Sequence, residues 1–249
     1  MRRQHTAAIP ANPHVYCRAQ SSAHMSAALS SVPSPGTTPK TAKSELRERL
    51  KADLKCPDSV WLAAQSSAIC AHLQQLPELR AAKSAVAFMR CERLREVDVS
   101  PVIAALLERN VALYLPKVQD RSSNMSMLRV DSLAGLEKVP PFGILEPTKL
   151  QADGAPREDL VASGVVPDVV LLPGLGFDRQ GGRLGRGGGY YDKFLTEVAR
   201  LADQQKLSRA KLLALAFREQ LVAEVPMDAH DFHYDLLVTI DGVHQPGYT

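Results

Sequence analysis

The sequence predicts an α/β fold in three layers: a mostly parallel sheet with helices on both faces, Rossmann-like but lacking a dinucleotide fingerprint. Three observations carry this expectation. The apolar runs are short and continuous rather than alternating, the pattern of strands covered on both sides. They alternate with segments of helical periodicity, and a strand, a helix and a strand in succession make a parallel crossover. Eight of the 15 glycines fall between Gly174 and Gly189, in one loop between an apolar run and a helical one. With 249 residues, 45% of them hydrophobic, the chain can bury one substantial core, and residues 43–249 read as a single domain.

The first 42 residues are rich in Ala, Ser, Pro and Thr, carry Arg2, Arg3 and Arg18, and hold no acid. That is the composition of an organellar transit peptide, mitochondrial by expectation with plastid as the alternative; a disordered cytosolic tail is the plainer reading. Translation from Met25 would leave a cytosolic product. Residues 1–44 take five of the 30 basic residues, leaving 25 against 27 acidic ones in the body. A body so near neutrality argues against nucleic acid as a partner. No apolar run approaches the roughly 18 residues of a spanning helix, so membrane insertion is not expected. Cys17, Cys56, Cys70 and Cys91 form no C-x-x-C pair, and reduced, mostly buried thiols are the default.

From Lys43 onward the elements follow in order. Leu46, Leu50 and Leu54 stack on one face of a first helix. Pro57-Asp58-Ser59 opens a second, striped by Leu62, Ile69, Leu73 and Leu76 and stopped by Pro77. Ala85 to Met89 reads as a buried strand and Arg90 to Glu96 as a charged loop. Ser100 reads as an N-cap with Pro101 at the first helical position, and Val102, Ile103, Leu106 and Leu107 face a core until Asn110. Val111–Leu115 is the next strand, with further candidates at Met125–Val130, Val169–Leu172, Leu212–Phe217 and Leu236–Ile240. Pro140, Pro141, Pro147 and Pro156 break Gly135–Ala162 into loops, and loops between strands of such a sheet are where ligands sit.

The glycine-rich stretch begins where Val169–Leu172 meets Pro173 and ends where Tyr190, Phe194, Leu195, Val198 and Leu201 resume a helical pattern. Glycines let backbone N–H groups close on a ligand, and the helix N-terminus beyond favours an anion. Arg183 and Arg186 add forked donors suited to phosphate oxygens, and Asp192, in the first helical turn, could hold a hard cation bridging them. A P-loop is excluded because Gly182 to Gly187 is followed by Gly188 and Gly189 rather than Lys and Ser/Thr. The dinucleotide fingerprint fails because Arg179 stands where its third glycine belongs. A mobile surface loop and an Arg-Gly-rich RNA-binding segment remain as alternatives. Further on, His230, Asp231, His233 and Asp235 could suggest a zinc or iron site without a third well-placed ligand. Asp231 closing with Asp192 on a phosphate-bound Mg²⁺ suits that ion's preference for oxygen.

The string Pro173-Gly-Leu-Gly-Phe-Asp178, a short spacer, and Gly182-Arg-Leu-Gly-Arg-Gly-Gly-Gly-Tyr-Tyr-Asp192 closely resembles the signature of the 5-formyltetrahydrofolate cyclo-ligases, also called 5,10-methenyltetrahydrofolate synthetases. Lys43-Ser44-Glu45-Leu46-Arg47, the Arg90–Glu96 loop, Ile144-Leu145-Glu146-Pro147, and Leu213–Gln220 with Val225-Pro226 and Asp231 resemble further blocks of that family, in order. The resemblance covers roughly Lys43 to Ile240.

It implies ATP-dependent closure of 5-formyltetrahydrofolate to 5,10-methenyltetrahydrofolate through a phosphorylated formyl group, releasing ADP and phosphate, with Mg²⁺. It further implies that Lys43, Ser44, Glu45, Leu46 and Arg47 bind ATP together with Arg183, Leu184, Gly185, Arg186, Gly187, Gly188, Gly189, Tyr190 and Tyr191. Arg47, Met89, Glu96, Phe142, Glu146, Arg186, the three glycines after it and Tyr190 would meet the folate. Arg186, Tyr190 and Tyr191 would be catalytic, and Asp192 and Asp231 would hold Mg²⁺. One departure is visible: some members carry Lys where this chain has Gly188. A non-catalytic folate- or nucleotide-binding regulator is the alternative function, and a monomer is expected.

Overall fold

The computed structural model describes residues 39–120, 122–140 and 143–247, all within one compact unit, Thr38–Thr249. Residues 1–38, Met25 and Cys17 among them, and Phe142 lie outside the described residues. The helices are α1 (Pro39–Asp53), α2 (Ser59–Gln75), α3 (Pro77–Ala81), α4 (Ser100–Glu108) and α5 (Tyr190–Gln205). A seven-stranded sheet is built from β1 (Ser84–Val86), β2 (Ala112–Val118), β3 (Met125–Val130), β6 (Val169–Leu172), β9 (Lys211–Leu215), β10 (Leu236–Thr239) and β11 (Gly242–His244). Two hairpins outside it are β4–β5 (Leu136–Val139, Ile144–Pro147) and β7–β8 (Gly176–Phe177, Arg183–Leu184).

The sheet order is β11-β10-β9-β6-β1-β2-β3. The inner five strands are parallel, while β3 and β11 close the two edges antiparallel. Successive residues of each inner strand drop into opposite cores. Val169, Leu171, Leu213 and Leu215 pack with Leu50, Ile69, Leu79 and Val102 of α1 to α4; Val170, Leu172, Leu212 and Ala214 pack with Phe194, Leu195 and Val198 of α5. Both faces of a strand are therefore buried, which is why the apolar runs do not alternate. Each of the larger apolar side chains here, the Val, Leu, Ile and Phe residues, contributes on the order of 1.5–3 kcal/mol when removed from water.

Several boundaries follow local chemistry. The Asp58 side chain accepts from Trp61 N at 2.7 Å and starts α2. Pro77 stops α2 as expected but also opens α3, because a missing N–H costs nothing at a helix start. Ser100 is not the cap of α4: it lies inside the helix, Val99 takes the cap position, and the Ser100 hydroxyl donates to Asp98 Oδ1 at 2.7 Å. The largest correction concerns Gly135–Ala162, expected to be loops. It contains the β4–β5 hairpin, paired from Leu136↔Pro147 to Val139↔Ile144. The prolines sit at its ends, Pro140 after β4 and Pro147 closing β5, where a missing donor is tolerated.

The chain runs from β1 to β2 on one side, whereas β6 lies on the other, so the strand order reverses between β1 and β6. Loops leaving the carboxyl ends at such a point form a crevice. Here they are the segment through Met89 to Glu96 and the glycine-rich stretch after Pro173.

Candidate functional site

The glycine loop connects β8 to α5. Gly187 and Gly189 take φ of +98° and +69°, a region that a side chain would strain, and Gly189 caps α5 without any side-chain hydrogen bond. The first turn of a 16-residue helix thus presents its N–H groups to the loop, an arrangement that favours an anion. Three arginines frame it. Arg47 Nε, on α1, donates to Gly185 O at 2.9 Å. Arg183 is buried and its Nη2 donates to Asp192 Oδ1 at 2.6 Å, with the guanidinium 5.8 Å from the Tyr191 ring centroid. Arg186 reaches across to the loop after β1, donating to Leu94 O and pairing with Glu96 Oε1 at 3.7 Å.

A second group of charges adjoins the first. Lys43, on α1, places Nζ 2.5 Å from both Asp228 Oδ2 and Asp231 Oδ2, and Asp231 Oδ2 also accepts from Asp228 N at 2.7 Å. Burial pulls the Lys43 pKa down, but hydrogen bonds to Asp228 and Asp231 outweigh it and hold the amine above its ordinary value. Burial pushes Asp231 up, but the Lys43 ammonium and the Asp228 N–H outweigh it and hold the carboxyl below the usual range, with Arg183 adding its field. The two clusters therefore belong to one electrostatic neighbourhood.

Glu96 is raised by burial, against the Cys91 N–H at 3.0 Å and the charge of Arg186; burial lowers Arg186 in turn. Glu146, on β5, is also raised by burial, with Lys117 Nζ 3.8 Å from an Oε2 that lacks a hydrogen-bond partner. The Tyr191 hydroxyl is fully buried, unpartnered and pushed up by burial, and Arg183 Nε is unpartnered as well. Met89 is a core residue packed with the α1–α4 face.

The loop between β2 and β3 forms a cover. Tyr190 OH donates to Asp120 O at 2.8 Å, Ser123 Oγ donates to Gly188 O, and Lys193 Nζ donates to Asn124 Oδ1. A Cβ at Gly188 would stand 2.8 Å from Tyr190 Cδ2 and Cε2, so the glycine at this position lets the ring lie on the loop. The structure therefore brings Lys43, Arg47, Glu96, Arg183, Arg186, Tyr190, Tyr191, Asp192 and Asp231 to one end of the sheet. Phe142 is outside the described residues.

The His/Asp run does not form a metal cluster. Asp235 accepts from Leu212 N at 2.8 Å at the start of β9, away from the glycine loop, and among the described residues no three His, Cys, Asp or Glu side chains converge. Sequence reasoning missed Asp228 as the second acceptor of Lys43, and it missed Asp120 and Ser123. Asp228 stands two residues before the His230–Asp235 run, whose composition signalled a polar site, whereas nothing in Asp120–Asn124 beyond its turn-forming composition announces a contact about 65 residues away.

A parallel sheet whose switch-point crevice holds a cationic glycine loop, an uncapped helix N-terminus and buried carboxyls defines an α/β enzyme of the phosphate-handling class. Comparison with known proteins gives the family. The family described as "5-formyltetrahydrofolate cyclo-ligase family" matches residues 39–240, and the chain belongs to it and to its ligases. It is 34% identical over 208 residues to "5-formyltetrahydrofolate cyclo-ligase, mitochondrial" of Arabidopsis thaliana, covering 81% of this chain and 75% of the relative. It is 30% identical over 200 residues to "5-formyltetrahydrofolate cyclo-ligase" of Mus musculus, covering 80% and 93%. The solved structure of 5,10-methenyltetrahydrofolate synthetase from Aquifex aeolicus superposes with a TM-score of 0.61 at 30% identity, covering 83% of this chain and 95% of that one.

Proposed function

We propose that the chain catalyses ATP- and Mg²⁺-dependent conversion of 5-formyltetrahydrofolate to 5,10-methenyltetrahydrofolate, with release of ADP and phosphate. The formyl oxygen on N5 is a poor leaving group. Its attack on the γ-phosphorus breaks the bond to ADP and leaves an imidate-like phosphate ester. N10 then adds to the formyl carbon, loses its proton, and the carbon–oxygen bond breaks to release phosphate. Little covalent work falls to the protein, so positioning and charge neutralisation carry the rate.

The observation that carries this reading is the glycine loop itself. Its uncapped helix N-terminus, with Arg47, Arg183 and Arg186 around it, lies beside the partly buried Glu96. Arg186 is suited to move between Glu96 and a phosphate, Tyr190 to lie along the folate, and Glu146 to meet its polar edge. The donors available to Mg²⁺ are oxygens from two segments, Asp192 and Asp231, which fits an ion that takes one or two carboxylates beside substrate phosphates. Bound there, the ion would neutralise phosphate charge, and Lys43 and Arg183 would be released toward the same phosphates. The basic, acid-free N-terminal segment and the mitochondrial relative in Arabidopsis support delivery to the mitochondrion.

The test is the near-ultraviolet absorbance of the methenyl product, followed with the full chain and 5-formyltetrahydrofolate. Turnover that requires both ATP and Mg²⁺ is expected. Folate binding without ATP-dependent turnover would leave a folate-binding regulator instead.

A further inference from the structure

The two charged clusters come from distant parts of the chain, and one buried carboxylate lies between them. Asp178 is 3% exposed. Its Oδ1 accepts from Gln180 N at 2.9 Å and Gly182 N at 2.8 Å, which shapes the turn of the β7–β8 hairpin. Its Oδ2 accepts from Val225 N at 2.7 Å, in the segment that leads to Asp228 and Asp231. Gly182 is packed so closely that a Cβ there would meet Asp178 Oδ2 at 2.4 Å. Further bonds run between the same two segments: Val222 N to Phe177 O at 2.9 Å, Tyr234 N to Gly181 O at 3.1 Å, and Tyr234 OH to Asp178 O. The hairpin ends in Arg183, which holds Asp192; the other segment holds Lys43.

We propose that Asp178 is a positioning residue for the nucleotide site: its carboxylate keeps the arm carrying Arg183 and Asp192 in register with the arm carrying Asp228 and Asp231. The role rests on the reading that these arms bind ATP. Its two oxygens divide the work. Oδ1 serves the hairpin alone, whereas Oδ2 makes the bond between arms. In Asp178→Asn the remaining oxygen can still serve Gln180 and Gly182, but the amide then turns an N–H toward the Val225 N–H. The turn survives and the bond between arms is lost.

Calorimetric ATP binding with the full chain, alongside steady-state kinetics, tests this. Asp178→Asn is expected to raise both the ATP dissociation constant and the ATP KM about tenfold, with the KM for 5-formyltetrahydrofolate within about twofold of the parent value. Val225→Pro deletes the same donor from the other arm and is expected to give the same split, which keeps the test open if the first variant does not fold. Asp168→Asn removes a carboxylate that accepts from Lys83 N and Ser84 N at the opposite end of the sheet, and should lower thermal stability without changing ATP affinity. Unchanged ATP affinity in Asp178→Asn, or an equal rise for both substrates, overturns the positioning role. A parent chain that binds no ATP overturns the functional reading beneath it.

Discussion

The two ends of the sheet differ in how many of their carboxylates face long cationic side chains. At the amino ends of the strands, Asp168 Oδ2 accepts from Lys83 N at 2.8 Å and Ser84 N at 2.9 Å, and Asp235 Oδ2 accepts from Leu212 N at 2.8 Å. Those donors are backbone and cannot leave. At the carboxyl ends, Asp192, Asp231 and Glu96 face Arg183, Lys43 and Arg186, long side chains that can be exchanged for a ligand. Of five buried side-chain atoms without a partner among the described residues, three (Arg183 Nε, Tyr191 OH and Glu146 Oε2) belong to this end. Unmet polar groups cost folding free energy, and they persist where a ligand completes them. The difference separates an end built for stability from one built for chemistry.

The most direct way to break that comparison is Asp192→Ala. Arg183 is 4% exposed at its side chain, so losing its partner leaves a buried charge, while Asp192 itself is 39% exposed. Stability should fall by about 2 kcal/mol, less than for a fully buried pair. ATP-dependent turnover should fall by about 10²–10³-fold, the scale of a lost electrostatic contact in a transition state. Turnover within threefold of the parent chain would place the chemistry elsewhere.

A smaller effect is expected at Gly188. In Gly188→Ala the new Cβ meets the Tyr190 ring, and because the ring is the movable partner it swings away from Asp120 O. The lost hydrogen bond costs about 1 kcal/mol, and the KM for the folate should rise several-fold while ATP affinity stays the same. Steady-state kinetics with each substrate varied in turn would show it. Equal folate KM values in the two proteins would mean that the ring does not meet the folate.

What the sequence disclosed follows the same division. The inner strands were legible because burial on both faces writes itself as continuous apolar runs, and Val169–Leu172 was found to the residue. The placement of the glycine loop was legible because a glycine-dense stretch between an apolar run and a helical one reads as a strand-to-helix turn, and that of Asp192 because it falls in the first turn of the helix that follows. Partnerships were not legible. The bond from Tyr190 to Asp120 and the sharing of Lys43 between Asp228 and Asp231 depend on the tertiary approach of segments far apart in the chain. The β4–β5 hairpin was hidden by prolines read as breakers throughout, though Pro140 and Pro147 stand only at its strand ends. Asp178 stood inside the recognised signature, yet its bond to Val225 N could come only from the fold.

The finest test of the comparison is the pH dependence of stability at the site end. Burial raises Glu96 above its usual value of 4.5, so the folded protein holds that proton more tightly than the unfolded chain does. Its contribution is then fully present below about 4.5 and is lost as pH rises through the folded-state value. Asp231 has the opposite sign. Burial works to raise it, but Lys43 and the Asp228 N–H hold it below 3.8, so its contribution is present above that value and lost as pH falls through the lower folded-state value. On the rising side of 4.5, therefore, the Glu96 contribution should decline while that of Asp231 holds, and that of Glu146, raised by burial as well, declines in the same direction. Thermal melts from about pH 4.5 upward should fall gently in the parent chain and less steeply in Glu96→Gln, which cannot titrate yet keeps an oxygen for Cys91 N and a dipole for Arg186, the remaining slope being that of Glu146. Identical slopes in the two proteins would mean that Arg186 already neutralises the burial of Glu96. At Glu96 the carboxyl end would then be as fully satisfied in the free enzyme as the amino ends are, and a ligand drawing Arg186 away would have no strain to relieve at that carboxyl.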